Sequence, residues 1–219
     1  MIDVERSRVV PASLARETSW ADDDVLEALH RDFLGKCYLC ERRLSIGEIQ
    51  VDHRRPISYW PEGAYCWPNL FPCCAFCNGR RSKSYPRASL LSPGDGIERR
   101  IEQVALLDHT GTTIECRFVA KDLNDDKARA TAEELERLHS VHEARSPRAR
   151  HATHDLLDTI HDHYLERVHP LHLKVRRARE RGRADTEAAA GLAAVLSRRA
   201  PFTMLMRSLV HLGVRDLFD

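Results

Sequence analysis

Apolar residues in the first part of the chain recur at two different periods. In the segment SWADDDVLEALHRDFLG they recur at helical spacing, at Val25, Leu26, Leu29 and Phe33. Ser19 or one of the aspartates after it can cap this helix, and Gly35 can end it. After a turn at residues 46–48, Ile49 and Val51 predict a short strand.

The rest of the cysteine-containing region mixes loop and helix signals. The segment YWPEGAYCWPNLFP is rich in proline, glycine and aromatic residues, which predicts a loop with its own packing. A short helix is expected to begin near Ala75 and to end before Pro86. Alternating apolar residues around Gly111 then predict a second hairpin.

From about residue 124 onward the pattern is helical. We expect one helix near residues 125–145, a long helix from about Arg148 to Gly182 with a kink at Pro170, and two shorter helices after it. The predicted fold class is therefore α+β. Residues 1–92 would form an N-terminal helix and a small cysteine-rich domain, and residues 93–219 a hairpin and a mainly α-helical extension.

Composition places the chain among ordinary globular proteins. It has 219 residues and a formal net charge of +1, so attraction to nucleic acid would have to come from a local patch. The longest apolar run, AAAGLAAVL, is too short to span a bilayer, and the first residues do not resemble a secretory signal. A cytoplasmic protein without membrane contact is expected.

Cysteine spacing points to a metal site. Of the 7 cysteines, all but Cys116 fall between residues 37 and 77, whereas a disulfide scaffold would spread them along the chain. Two CxxC pairs supply the four thiolates that a closed structural Zn²⁺ site takes: Cys37, Cys40, Cys74 and Cys77. Cys73 could compete with Cys74, and buried thiols without a metal are the alternative interpretation.

Between and after the two pairs lie residues suited to phosphodiester hydrolysis. Asp52 and His53 are adjacent in VDHRRPIS, Asn69 follows in a loop, and Asn78 comes directly after Cys77. The order of these positions resembles the HNH (ββα-metal) endonucleases, in their zinc-stapled four-cysteine branch. This resemblance implies that His53 is the general base and that Asn69 holds the loop that orients His53.

The same resemblance implies a second, catalytic metal. Asp52 and Asn78 would be the protein ligands of Mg²⁺ or Mn²⁺, hard cations that prefer oxygen ligands. Many relatives have histidine at the position of Asn78, and the amide oxygen is a harder ligand than imidazole, which favours these ions over softer ones.

Basic residues surround the proposed site. A sequence-independent phosphate-binding surface is expected from Arg54, Arg55, Arg80, Arg81 and Lys83. The alternative is a solvated helix face. Three aromatic residues could stack on bases or, as we expect, pack the loop: Trp60, Tyr65 and Trp67.

A longer run of residues, GKCYLCERRL, VDHRRPIS, AYCWPNLFPCCAFCNGRRSK and LLSP, resembles the PtuB-type HNH nucleases of Septu and retron-associated anti-phage systems. The resemblance implies cleavage of nucleic acid, DNA more than RNA, together with an ABC-type ATPase partner that docks on the helical extension. Two alternatives stay open: a non-catalytic zinc module that binds nucleic acid or protein, and a stand-alone restriction-type nuclease.

Overall fold

The computed structural model describes residues 1–81, 90–210 and 212–218, and it is an α+β structure with two small sheets. Short 3₁₀ turns link several of its elements. The helices and strands, in chain order, are α1 Ala12–Ala15, α2 Asp23–Asp32, β1 Gln50–His53, β2 Leu70–Cys73, α3 Ala75–Arg80, α4 Ile97–Arg100, β3 Ile101–Leu107, β4 Ile114–Ala120, α5 Asp126–His139, α6 Pro147–His163, α7 His169–Glu180, α8 Thr186–Leu196 and α9 Thr203–Leu209.

The chain divides into two compact units. The first comprises Met1–Glu102 and Val119–Leu138, and the second comprises Gln103–Phe118 and His139–Asp219. The first unit therefore contains all the cysteine pairs and the predicted catalytic residues, and the second contains most of the helical extension.

In the first unit, β1 and β2 form an antiparallel pair in which Asp52 lies opposite Phe71 and His53 opposite Leu70. Helix α2 packs on β2, and the rings of Phe33 and Phe71 meet edge-on at 5.5 Å. Helix α3 follows β2 after one residue, so the order is strand, strand, helix.

One sequence prediction needs correction here. The predicted loop runs through Pro72, but Leu70–Cys73 is a strand whose four residues are all buried. Proline lacks a backbone donor, but in a two-stranded sheet one side of each strand does not face the partner strand, so β2 can accept Pro72. Of the predicted cap residues of α2, Ser19 and the aspartates after it, Asp22 occupies the position before the helix, without a side-chain hydrogen bond to it.

The predicted second hairpin and the mainly helical character of the chain after residue 124 are confirmed. Strands β3 and β4 pair with each other, and Gly111 in their connection has a φ of 72°, which favours glycine. Helix α6 begins after Ser146, whose Oγ accepts a bond of 3.1 Å from the Ala149 N–H.

The predicted irregularity at Pro170 is a turn of π-helix over Tyr164–Val168, between α6 and α7. Proline lacks a backbone N–H and its ring crowds the carbonyl four residues earlier, which here is that of Glu166 inside the π turn. The three segments otherwise form the long helix that the pattern predicts. Leu156, Ile160 and Val175 lie in the core of this unit.

Candidate functional site

The four cysteines of the two CxxC pairs form one buried cluster. Their Sγ atoms all lie within 4.8 Å of one another, and those of Cys40 and Cys74 are 3.8 Å apart. Cys37 and Cys40 belong to the turn after α2, and Cys74 and Cys77 lie at the start of α3. The N–H of Cys77 donates to the Cys74 Sγ at 3.4 Å, a bond that also caps α3.

The charge distribution in the cluster favours a bound cation. Burial alone would raise the pKa of Cys37, but hydrogen bonds from the neighbouring thiols lower it well below its ordinary value. The hydrogen bonds to Cys37 raise the pKa values of Cys40 and Cys77. Several adjacent thiolates in this buried cluster would repel one another, and a bound cation would offset that repulsion.

The donor set fits a structural zinc ion. A tetrahedral site with Zn–S distances of about 2.3 Å places its sulfur atoms about 3.8 Å apart, which agrees with the spacing of Cys40 and Cys74. Among the residues that the structure describes, these four form the one group of three or more His, Cys, Asp or Glu side chains close enough to share an ion. Cys73, although buried, lies outside the group.

Next to the cluster, the first unit has an open cleft of about 290 Å³. Three of the four residues that the resemblance assigns to catalysis line it, namely Asp52, His53 and Asn78. Arg81 also lines it, as do apolar and small residues of the loop after β1. Residues that are 26 positions apart in the chain thus meet because α3 packs against β1.

Asp52 is held by two partners inside the protein. The hydroxyl of Tyr38 and the guanidinium of Arg81 both donate to its Oδ2. Arg81 also donates to the carbonyls of His53, at 2.8 Å, and Arg54. Burial alone would lower the pKa of Arg81, but Tyr38 and Asp52 raise it above its ordinary value. The negative charge of Asp52 is therefore balanced by a buried cation.

His53 is half-buried and oriented by a backbone carbonyl. Its Nε2 lies 3.0 Å from the Ala64 oxygen. Since a carbonyl only accepts hydrogen bonds, Nε2 carries the proton and Nδ1 is the acceptor when the ring is neutral. The indole of Trp20 meets the imidazole edge-on at 5.3 Å. The contact with Ala64 therefore fixes which tautomer the neutral ring adopts.

The two asparagines have different surroundings. Asn69 is buried and pins the loop after β1: its Oδ1 accepts from the Arg55 N–H at 2.8 Å, and its Nδ2 donates to the Arg55 and Gly63 oxygens at 3.0 and 3.2 Å. Asn78 is half-buried, and its Nδ2 donates to the Gln50 Oε1 at 2.8 Å. Asn69 lies outside the set of cleft-lining residues, whereas Asn78 belongs to it.

The predicted phosphate-binding residues are mostly engaged within the protein. Arg80 donates to the carbonyls of Arg137 and Leu138 near the end of α5, at 2.8 and 2.9 Å, and Arg81 is committed to Asp52. Arg54 donates to the Leu90 carbonyl, whereas Arg55 is exposed and lies over the Trp60 ring. Lys83 lies outside the described residues.

Aromatic residues of the loop pack against protein rather than presenting open faces. Trp67 is buried, donates to the Ser7 carbonyl at 3.0 Å and carries the Arg6 guanidinium 4.0 Å above its ring. Tyr65 lies 5.6 Å from Trp20. These contacts favour the packing interpretation over base stacking for both residues.

The sequence did not reveal Tyr38 and Arg81 as partners of Asp52. Tyr38 lies between Cys37 and Cys40, and nothing in the sequence around it indicates which group its hydroxyl contacts. Arg81 belongs to a basic run that suggested a solvent-facing surface.

No protein-family model, curated protein or solved structure matches this chain. In the portion of the chain that the structure describes, we find no helix with the length and apolar character needed to cross a membrane.

Proposed function

We propose that the protein is a metal-dependent HNH-type endonuclease that hydrolyses phosphodiester bonds of nucleic acid, most readily DNA. Support comes from one arrangement: Asp52, His53 and Asn78 line a single cleft on a strand–strand–helix unit beside a four-thiol cluster. In this proposal the thiol cluster holds a structural Zn²⁺ and the cleft receives the phosphate.

His53 would act as the general base. Its Nδ1 is the acceptor nitrogen and can take a proton from an attacking water, while the Ala64 carbonyl holds Nε2–H and stabilises the imidazolium that forms. Asn69 would keep the loop that contains Ala64 and Gly63 in place.

Asp52 and Asn78 would hold Mg²⁺ or Mn²⁺, which would offset the negative charge that develops on the phosphate. Arg81 is the competitor for Asp52, because its guanidinium already neutralises the carboxylate. Asn78 would exchange its bond to Gln50 for the cation.

A second candidate is a zinc module that binds nucleic acid or protein without catalysis. The buried pair of Asp52 and Arg81 favours it, since a carboxylate committed to an arginine is a structural element in its own right.

The test is cleavage of plasmid DNA and of transfer RNA by the purified chain in Mg²⁺ or Mn²⁺, with Ca²⁺ as the non-supporting ion. His53→Ala should abolish cleavage while the zinc content stays the same. His30→Ala is the matched control, because His30 is also half-buried and also bonds a backbone carbonyl, that of Leu44 at 3.1 Å. Cleavage that persists in His53→Ala would favour the non-catalytic module with a contaminating nuclease.

We also propose that the nuclease belongs to an anti-phage defence complex and is activated by an ABC-type ATPase that docks on the helical extension. This proposal predicts that an ABC-type ATPase is encoded beside this gene and that cleavage is stronger when that ATPase is added with ATP. Sequence-specific cutting by the chain alone would instead indicate a stand-alone restriction-type enzyme.

A further inference from the structure

The second unit has a basic stripe along one face of the long helix. It consists of Arg167 in the π turn, Lys174 and Arg177 in α7, and Arg181 directly after α7. At 3.6 residues per turn, Lys174, Arg177 and Arg181 fall within a sector of about 60°. Arg167, in the π turn before α7, extends the row of charges to roughly 20 Å along the helix axis. All four side chains are exposed.

The opposite side of the same helix is the packed side. Val168, His172 and Val175 are buried, so the helix is amphipathic with an apolar inner face and a cationic outer face. Basic residues in the last turn also suit the helix dipole, but that effect fades within one turn and does not account for Arg167 or Lys174.

Two arginines of α7 outside the stripe have acidic partners. Arg176 pairs with Glu180 at 3.3 Å, and Arg179 with Asp216 at 2.8 Å. Within residues 1–81, 90–210 and 212–218, by contrast, no acidic side chain forms an ion pair with a member of the stripe. The four charges are therefore available to an external anion.

We propose that the basic stripe binds the phosphate backbone of nucleic acid, independently of base sequence. Three of its four residues are arginines, whose planar guanidiniums match phosphate oxygens in pairs, and a linear row of cations suits a linear row of phosphates. The class of ligand rests on the proposed function, but binding by the stripe does not require that the protein cleave its ligand.

The chemistry of the stripe disfavours other polyanionic partners. A helix that lies on a membrane needs an exposed apolar face, and here that face is buried in the second unit. A docking protein usually supplies or meets aromatic and apolar anchors, and the four stripe positions contain none.

The experiment compares two charge-matched triple variants by fluorescence anisotropy. The stripe variant is K174Q/R177Q/R181Q, and the control variant is R145Q/R148Q/R150Q, which removes three exposed charges elsewhere in the same unit. Glutamine preserves helix propensity at those of the six positions that lie in α6 and α7. The probes are a labelled 20-base-pair DNA duplex of arbitrary sequence, a second duplex of different sequence, and labelled polyglutamate, all without divalent cations so that no cleavage occurs.

The stripe variant should bind both duplexes on the order of tenfold more weakly. The salt dependence of log K should become less steep by about 3, one for each phosphate that the variant no longer neutralises. The control variant should bind like the wild type. Equal weakening in both variants, or unchanged binding of the stripe variant, would overturn the proposal.

Loss of polyglutamate binding with duplex binding retained would also overturn it, in favour of an acidic protein partner. If the chain binds the duplex through the stripe but never cleaves nucleic acid, this inference holds and the proposed nuclease activity is wrong.

Discussion

The ion pair between Asp52 and Arg81 competes with the divalent cation that we propose for the cleft, and its strength can be measured by a double-mutant cycle. The perturbations are Arg81→Gln, Asp52→Asn and the double variant. Arg81→Gln also removes the bonds to the His53 and Arg54 carbonyls, so the single variant alone would overstate the pair. The cycle isolates the coupling between the two side chains.

The magnitude follows from burial. The side chains of Arg81 and Asp52 are 7% and 9% exposed, and removing one partner of a buried ion pair costs about 3–5 kcal/mol because the other charge stays buried without compensation. For a chain of this size, that loss lowers the melting temperature by about 6–20 °C. The double variant should lose clearly less than the sum of the two single variants.

Tyr38→Phe provides the graded comparison. It leaves Arg81 in place and removes one hydrogen bond to the carboxylate, which is worth about 1.5–3 kcal/mol. It should therefore destabilise the protein less than Arg81→Gln does.

The assay is urea unfolding of the zinc-loaded protein, followed by tryptophan emission. All 3 tryptophans, Trp20, Trp60 and Trp67, belong to the first unit, so the signal reports on the unit that contains the pair. A coupling energy near zero would refute the reasoning: the pair would then be open in solution, and Asp52 would be available to a cation without competition.

Cys74→Ser should lower bound zinc from about one ion per chain to nearly none by metal analysis, whereas the half-buried Cys66→Ser should retain it; equal zinc in both would contradict the assigned site. Gly63→Ala should destabilise the protein by about 1–3 kcal/mol, because the added Cβ would lie 2.1 Å from an indole carbon. Gly79→Ala in α3, where an added Cβ would have no atom within 4 Å, should stabilise the protein by about 0.5–1 kcal/mol. If urea unfolding showed Gly79→Ala to be the less stable of the two variants, the steric argument would be wrong. Burial lowers the pKa of His163, so the unfolded chain takes up the proton first and stability should fall below about pH 6.5. His163→Gln should flatten this slope in circular dichroism melts, and an unchanged slope would exclude His163 as its source.

The sequence predicted those features that depend on local spacing. The two CxxC pairs predicted a four-thiol cluster, and the sulfur positions agree with it. Apolar periodicity predicted the N-terminal helix, the second hairpin and the interrupted long helix. The helices and the hairpin depend on residues that are close in the chain, and the thiol cluster depends on the four ligands that a structural zinc ion takes.

Features that depend on long-range packing were not predictable. The short strand β2 contains a proline and few residues, so its partner strand β1 determines it more than its own sequence does. Arg80 and Arg81 are adjacent and cannot be told apart by their sequence context. In the structure, the Arg80 guanidinium donates to carbonyls near the end of α5, whereas the Arg81 guanidinium pairs with Asp52. The conformation of a flexible cationic side chain depends on which hydrogen-bond acceptors the fold brings near it.

The two CxxC pairs do more than anchor the chain, because a residue adjacent to each pair either contacts a cleft-lining side chain or lines the cleft itself. Tyr38 lies between Cys37 and Cys40 and donates to Asp52, and Asn78 directly follows Cys77. Removing zinc would therefore loosen Asp52 from one side and Asn78 from the other. Loss of cleavage on removing zinc would not place zinc at the reacting phosphate, since a purely structural ion predicts the same loss. The two roles separate when zinc is retained and only Mg²⁺ is replaced by Ca²⁺: a catalytic cation in the cleft requires that cleavage stop while tryptophan emission stays native.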